Sequence, residues 1–129
     1  LYQLDTACAV LISESRGTLG MAMRSLLSFI ESNGDMLHME NVPVMLESVS
    51  GAMEFLNAPR GRDILKNAAA YVASHFGAGL SAPPMNDIDR LADAITCIDY
   101  YLESVEVKKP AGERPFRVGE RSLAELSAA

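Results

Sequence analysis

The sequence predicts an all-α protein: an antiparallel up-and-down four-helix bundle with a short additional helix at its C-terminal end. Three observations lead there. Apolar residues recur at steps of three and four rather than two. There is no Trp, aromatic residues make up only 6%, and the β-branched residues are scattered, so no stretch reads as an alternating strand. Ala, Leu, Met, Ser and Glu dominate, and most of these suit helices. With 129 residues, 49% of them apolar, the chain can close one core, and residues 1–129 are read as a single domain. It opens on Leu1 without Met, which reads as a piece excised from a longer protein.

The first helix is expected from Leu4 to Ser32. Cys8, Leu11, Ile12, Leu19, Met23, Leu26, Leu27 and Ile30 continue its stripe from Leu4. Gly17 and Gly20 weaken its middle and mark where a kink would fall. Asn33-Gly34-Asp35 reads as a turn or C-cap. The second helix starts near Asn41, an N-cap residue, with Pro43 suited to the first turn. Its stripe is Val42, Met45, Leu46, Val49, Met53 and Leu56, and Asn57-Ala58-Pro59-Arg60-Gly61 ends it. The third helix is expected from Arg62 to Phe76, with Ile64, Leu65, Ala68, Val72 and Phe76 inward. A loop containing Pro83 and Pro84 follows. The fourth is capped by Asn86 or Asp87 and carries the most regular stripe, from Ile88 through Leu91, Ala92, Ile95, Ile98 and Leu102 to Val105. Lys108-Lys109-Pro110-Ala111-Gly112 breaks it. Pro115 then opens the fifth helix, with Phe116, Leu123 and Leu126 as its apolar positions. Short connections make neighbouring helices antiparallel.

Composition narrows the function classes. The net charge is −6, and the basic residues look dispersed apart from the pairs Arg60/Arg62 and Lys108/Lys109, so no nucleic-acid partner is expected. No apolar run approaches the roughly 20 residues that span a bilayer, and an acidic domain gains little from an anionic surface, so no membrane partner is expected either. Asp5 and Thr6 interrupt the first apolar stretch, and no signal peptide is read. Cys8 and Cys97 lie far apart within apolar helical patterns, which suits two reduced core thiols. Neither has a second ligand at metal spacing, and no metal, cofactor or small-molecule substrate is expected. Ser13, Ser15, Ser25 and Ser28 have no paired base in a recognisable arrangement. The acidic residues Asp89, Asp93, Asp99 and Glu103 read as a solvated face.

A bundle alone does not give function. The second helix carries the unusual surface. On a wheel of about 100° per residue, with Val49 at the centre of the apolar stripe, Glu47 and Gly51 fall about 160° away on either side of the solvent pole. Glu54 continues that face and Ser50 lies at its edge. A glycine inside a helix costs roughly 0.5–1 kcal/mol relative to alanine. At a solvent-facing position the core does not require it, which points to a partner's backbone coming close. The expected docking surface is Glu47, Ser50, Gly51 and Glu54, with neighbours on the first helix.

The segment Leu46-Glu47-Ser48-Val49-Ser50-Gly51-Ala52-Met53 resembles the motif of histidine-phosphotransfer domains. Those domains carry an exposed His on the second helix of a four-helix bundle, followed four residues later by a Gly that leaves room for a receiver domain. Glu47 stands at the His position, and Ser50 stands where a Lys or Arg often helps hold the phosphate. Leu91-Ala92-Asp93-Ala94-Ile95 and Ile98-Asp99-Tyr100-Tyr101-Leu102-Glu103 are similar to a segment of ChpA/PilL-type chemosensory histidine kinases. Arg121-Ser122-Leu123-Ala124-Glu125-Leu126 looks like the end of such a module. The similarity covers most of the chain from Gly17 onward.

The resemblance implies a non-catalytic scaffold or docking domain of a cytoplasmic chemosensory kinase controlling type IV pili and twitching motility. Its partner would be a response-regulator receiver or a pilus-regulatory protein. Glu47 stands as a degenerate phosphotransfer position. Neutral imidazole is a nucleophile near pH 7, whereas an ionised carboxylate repels an incoming phosphoryl group. Two alternatives stay open. One is an active phosphotransfer domain using His75 or His38, although His38 lacks a Gly four residues on and Gly77 is expected to end the helix before Gly79. The other is a spacer or dimerisation domain.

Overall fold

The computed structural model describes residues 6–109 and 111–126. Helix α1 spans Thr6–Glu31, a single 3-10 turn spans Met36–Met39, α2 spans Val42–Phe55, α3 spans Pro59–His75, α4 spans Met85–Glu106 and α5 spans Arg114–Ala124. Among the described residues there is no strand. Helix α1 packs on α2 and α4, α2 packs on α3, and α3 packs on α4, which closes a four-membered ring. Helix α5 lies along α4 and against α3. Gly119 faces Cys97 and Phe116 faces Tyr101, so α5 runs opposite to α4. The expected bundle with an appended fifth helix is the fold found.

Three helices end in the same way. Asn33, Asn57 and Lys108 each adopt φ of 60° at the ends of α1, α2 and α4. In each case the amide one residue further on donates back into the last turn: Gly34 to the Phe29 carbonyl, Ala58 to the Met53 carbonyl and Lys109 to the Ser104 carbonyl, all at 2.9 Å. This closure satisfies carbonyls that the helix leaves unpaired. Asn tolerates the left-handed region because its side chain is short and polar. The Asn33 turn was legible in the sequence.

Several boundaries and orientations differ from the sequence reading. Helix α3 begins at Pro59, not Arg62, because proline suits the first turn, where its missing N–H would be unpaired in any case. Only residues 56–58 separate α2 from α3, and Gly61, expected in the breaker, lies buried inside α3. Helix α4 starts at Met85, so Asp87 is no cap; it is buried in the first turn and accepts a 3.4 Å hydrogen bond from the Tyr71 hydroxyl. Leu27, expected inward, is exposed. Phe29 fills the core instead, edge-on to Phe76 with ring centroids 5.1 Å apart. Helix α1 runs unbroken through Gly17 and Gly20. Leu4, the expected start of the first helix, and Pro110 lie outside the described residues.

The fifth helix is joined to the ring by its aromatic and its glycine. Phe116 is buried and its ring lies 4.6 Å from that of Tyr101. Gly119 is buried over α4, where an added Cβ would collide with Cys97 Sγ and meet Ile64 Cδ1 at 3.2 Å. Cys97 itself donates to the Ala94 carbonyl at 3.1 Å, and burial pushes its thiol up to about 12. It is the core thiol expected; Cys8 is only half-buried. Arg60 clamps the outside of the joint, reaching Glu113 at 2.7 Å and Glu120 at 2.6 Å.

Gly119→Ala is therefore expected to destabilise the fold by about 1–3 kcal/mol through overpacking, read as a lower urea midpoint. The Gly119→Ala/Cys97→Ala double variant should be less destabilised than the sum of the two single variants. A single variant as stable as the parent would contradict the packing described.

Candidate docking surface

Helix α2 packs against both α1 and α3, and Gly61 of α3 faces its Met53. A Cβ at Gly61 would collide with the Met53 side chain and meet Phe116 Cε1 at 3.0 Å. Packed between its neighbours, α2 buries a wider arc than its apolar stripe alone predicts. Ser50 falls within that arc and is 2% exposed, with its hydroxyl donating to the Glu47 carbonyl at 2.6 Å. This corrects its expected place on the surface: Ser50 is a buried, internally satisfied hydroxyl and offers nothing to a partner.

Glu47 and Glu54 occupy the flank of α2 that borders α3. Glu47 Oε1 lies 3.2 Å from Lys66 Nζ, and Glu54 Oε1 lies 3.0 Å from Arg62 Nη1. Arg62 also reaches Asp63 at 2.9 Å. Arg62 and Lys66 are one turn apart on α3, as Glu47 and Glu54 are two turns apart on α2, so the bonds tie antiparallel neighbours. Each exposed pair is worth about 0–1 kcal/mol, enough to orient the side chains but not to hold the helices together.

Gly51 lies between these two bonds along α2 and faces solvent. Nothing stands within 4 Å of where its Cβ would be. No internal contact asks for glycine there, as the sequence reading argued. Its surroundings are apolar, which the expected surface did not include. Val44 and Phe55 are 71% and 64% exposed, and with Ser48 and Gly51 they form a line at steps of four, three and four. Two large apolar side chains thus stand at the ends of a stripe whose middle is small. The signal was available: both residues lie off the buried stripe by the same wheel that located Gly51. An exposed apolar pair of this kind is more telling than an exposed charge.

The two histidines are elsewhere. His38 sits in the 3-10 turn with Nε2 4.0 Å from Asp35. His75 is the last residue of α3, its Nδ1 3.0 Å from the Tyr71 carbonyl and its ring stacked on Tyr71 at 4.2 Å. Burial, helped by the charge of Asp87, pushes the Tyr71 hydroxyl up to about 12. Neither histidine shares the face of Gly51. Among the described residues no three of His, Cys, Asp and Glu come together to hold a metal, and no helix is long and apolar enough to cross a membrane.

Known proteins give this surface a setting. Residues 2–123 match the family described as the FimL C-terminal domain. The chain is 34% identical over 113 residues to a protein of Pseudomonas aeruginosa named scaffold protein FimL, a match covering 88% of the chain. The chain spans 20% of that relative's length. No solved structure matches. By the family match over nearly its whole length, this chain belongs to the FimL C-terminal domain family.

Proposed function

We propose that this chain is a non-catalytic docking module of a cytoplasmic chemosensory system controlling type IV pili and twitching motility. The observation that carries the reading is the outer face of α2, where an open glycine sits between two exposed apolar side chains. A helix surface that is small in the middle and apolar at its ends accepts a partner's helix or loop at close range. The relative from P. aeruginosa is named a scaffold protein, which supports a role in binding rather than chemistry. The resemblance of Leu46–Met53 to a phosphotransfer motif supports a receiver domain, or a pilus-regulatory protein, as the partner. Glu47 replaces the nucleophile of that motif and is held by Lys66, so the module presents no imidazole on this face. The partner would seat over Gly51, with Val44 and Phe55 as apolar contacts and Glu47 and Glu54 at the rim. Residues 1–129 would act as one such module within a longer chain.

Three outcomes are expected. Gly51→Ala should raise stability by about 0.5–1 kcal/mol, because the glycine costs that much in a helix and the added methyl meets nothing; a thermal midpoint higher by roughly 2–4 °C would register it. Gly51→Arg should leave helicity and the urea midpoint near the parent's, yet weaken binding to a receiver domain of the pilus chemosensory system by at least about tenfold. Equal binding by Gly51→Arg and parent would place docking elsewhere. Incubated with a radiolabelled phospho-receiver, the chain should take up no label; label that disappears in His75→Ala or His38→Ala would establish phosphotransfer and overturn the inert reading.

A further inference from the structure

The chain is acidic overall, yet most of the cations outside its ion pairs fall within residues 108–121. Arg16 is held by Asp99 and Glu106, Arg60 by Glu113 and Glu120, Arg62 by Glu54 and Asp63, Arg90 by Glu125, and Lys66 by Glu47. Among the described residues no ion pair engages Arg114, Arg117 or Arg121, nor Lys108 and Lys109 in the turn before α5. All five are exposed. Arg24 on α1 is the other cation outside these pairs. The three arginines recur at steps of three and four, so they share the outer face of α5. The five lie close along the chain, and the helix turns the three arginines onto one face.

Beside this face lies an apolar groove of about 300 Å³ between α4 and α5. Thr96, Cys97, Tyr100, Pro115 and Val118 line it, with Arg114 at its edge and Asp93 on the α4 side. Tyr100 is 58% and Val118 50% exposed, so its walls stand open to solvent.

We infer that this groove and the Arg114–Arg117–Arg121 face form a second docking site, for an acidic amphipathic segment of a partner protein. Its carboxylates would lie along the arginines, and one apolar side chain would enter between Tyr100, Pro115 and Val118. Guanidinium pairs with carboxylate in a planar, two-bonded geometry, and a row of three reads carboxylates at helical spacing. Two features favour a narrow protein segment over a membrane or a nucleic acid. The apolar part is concave and asks for a protruding side chain. Outside the groove, Glu103 is exposed on the adjoining α4, where it would repel a broad polyanionic surface. The site shares no residue with the outer face of α2.

The test is an NMR titration of the whole 129-residue chain with a short synthetic helical peptide. The peptide carries glutamates at i, i+3 and i+7 and a leucine on the same face. Expected are shifts of the amides of Tyr100, Pro115's neighbours and Val118, weaker binding at higher salt, and no binding of the same peptide with lysines for glutamates. Arg117→Glu/Arg121→Glu should weaken binding about tenfold, and the neutral Arg117→Gln/Arg121→Gln should weaken it less, while circular dichroism stays at the parent's. Gly51→Arg should leave it unchanged. The inference falls if the lysine peptide binds as well, or if the double charge reversal binds like the parent. It falls equally if phosphatidylglycerol vesicles or duplex DNA bind this face more tightly than the acidic peptide.

Discussion

The joint of α2, α3 and α5 depends on the room that Gly61 leaves for two side chains. At this one position on α3 the side chains of Met53 from α2 and Phe116 from α5 meet, and neither could reach it past a Cβ. Along the same α2–α3 seam Glu47 and Glu54 find Lys66 and Arg62, and Ser50 is buried. Gly61 also seats the aromatic that fastens α5 to the ring. Gly119, on α5 itself and one turn from Phe116, repeats the device against Cys97 and Ile64. The fifth helix is thus keyed into the ring by two glycines, one on α3 and one of its own, and its outer face is left to solvent.

The glycines of this chain divide by what surrounds them. Gly61 and Gly119 are demanded by packing, so their role is internal to the fold. Gly51 lies in a helix of the same ring with open space where its side chain would be. The contrast gives weight to the α2 surface, because the same structure shows what a packing glycine looks like. It also separates two kinds of surface chemistry. The α2 face is apolar and small, with its charges neutralised at the edge by α3. The α5 face is cationic beside an apolar groove. A module that binds rather than reacts can carry both.

Much of the fold was legible in the sequence. The three-and-four spacing located all five helices, and Asn33-Gly34-Asp35 located a helix end, because buried stripes and left-handed Asn residues leave local marks. Pro59 and Asp87 were misplaced because local signals are ambiguous: a proline that stops one helix can open the next, and an aspartate near a helix start can be buried by a distant Tyr71 hydroxyl. The burial of Ser50 was not legible, since it follows from how α2 packs on its neighbours and not from the residue itself. Glu47, Gly51 and Glu54 were rightly placed on the outside. Their partners Lys66 and Arg62 lie on another helix and emerge only from the packing, whereas Val44 and Phe55 stand off the buried stripe of α2 itself.

The three-residue joint between α2 and α3 has a further consequence, and it concerns the order of assembly. Closing a loop costs entropy that grows with the chain it encloses. The α2–α3 hairpin encloses almost none, and its turn is already closed by the amide of Ala58 on the Met53 carbonyl. The seam between α1 and α4, where Arg16 meets Asp99 across 83 residues, encloses most of the chain. The hairpin that presents Gly51 is therefore the least expensive part of the bundle to form, and the α1–α4 seam the most, so the docking face is built on the part of the molecule that assembles with least help from the rest.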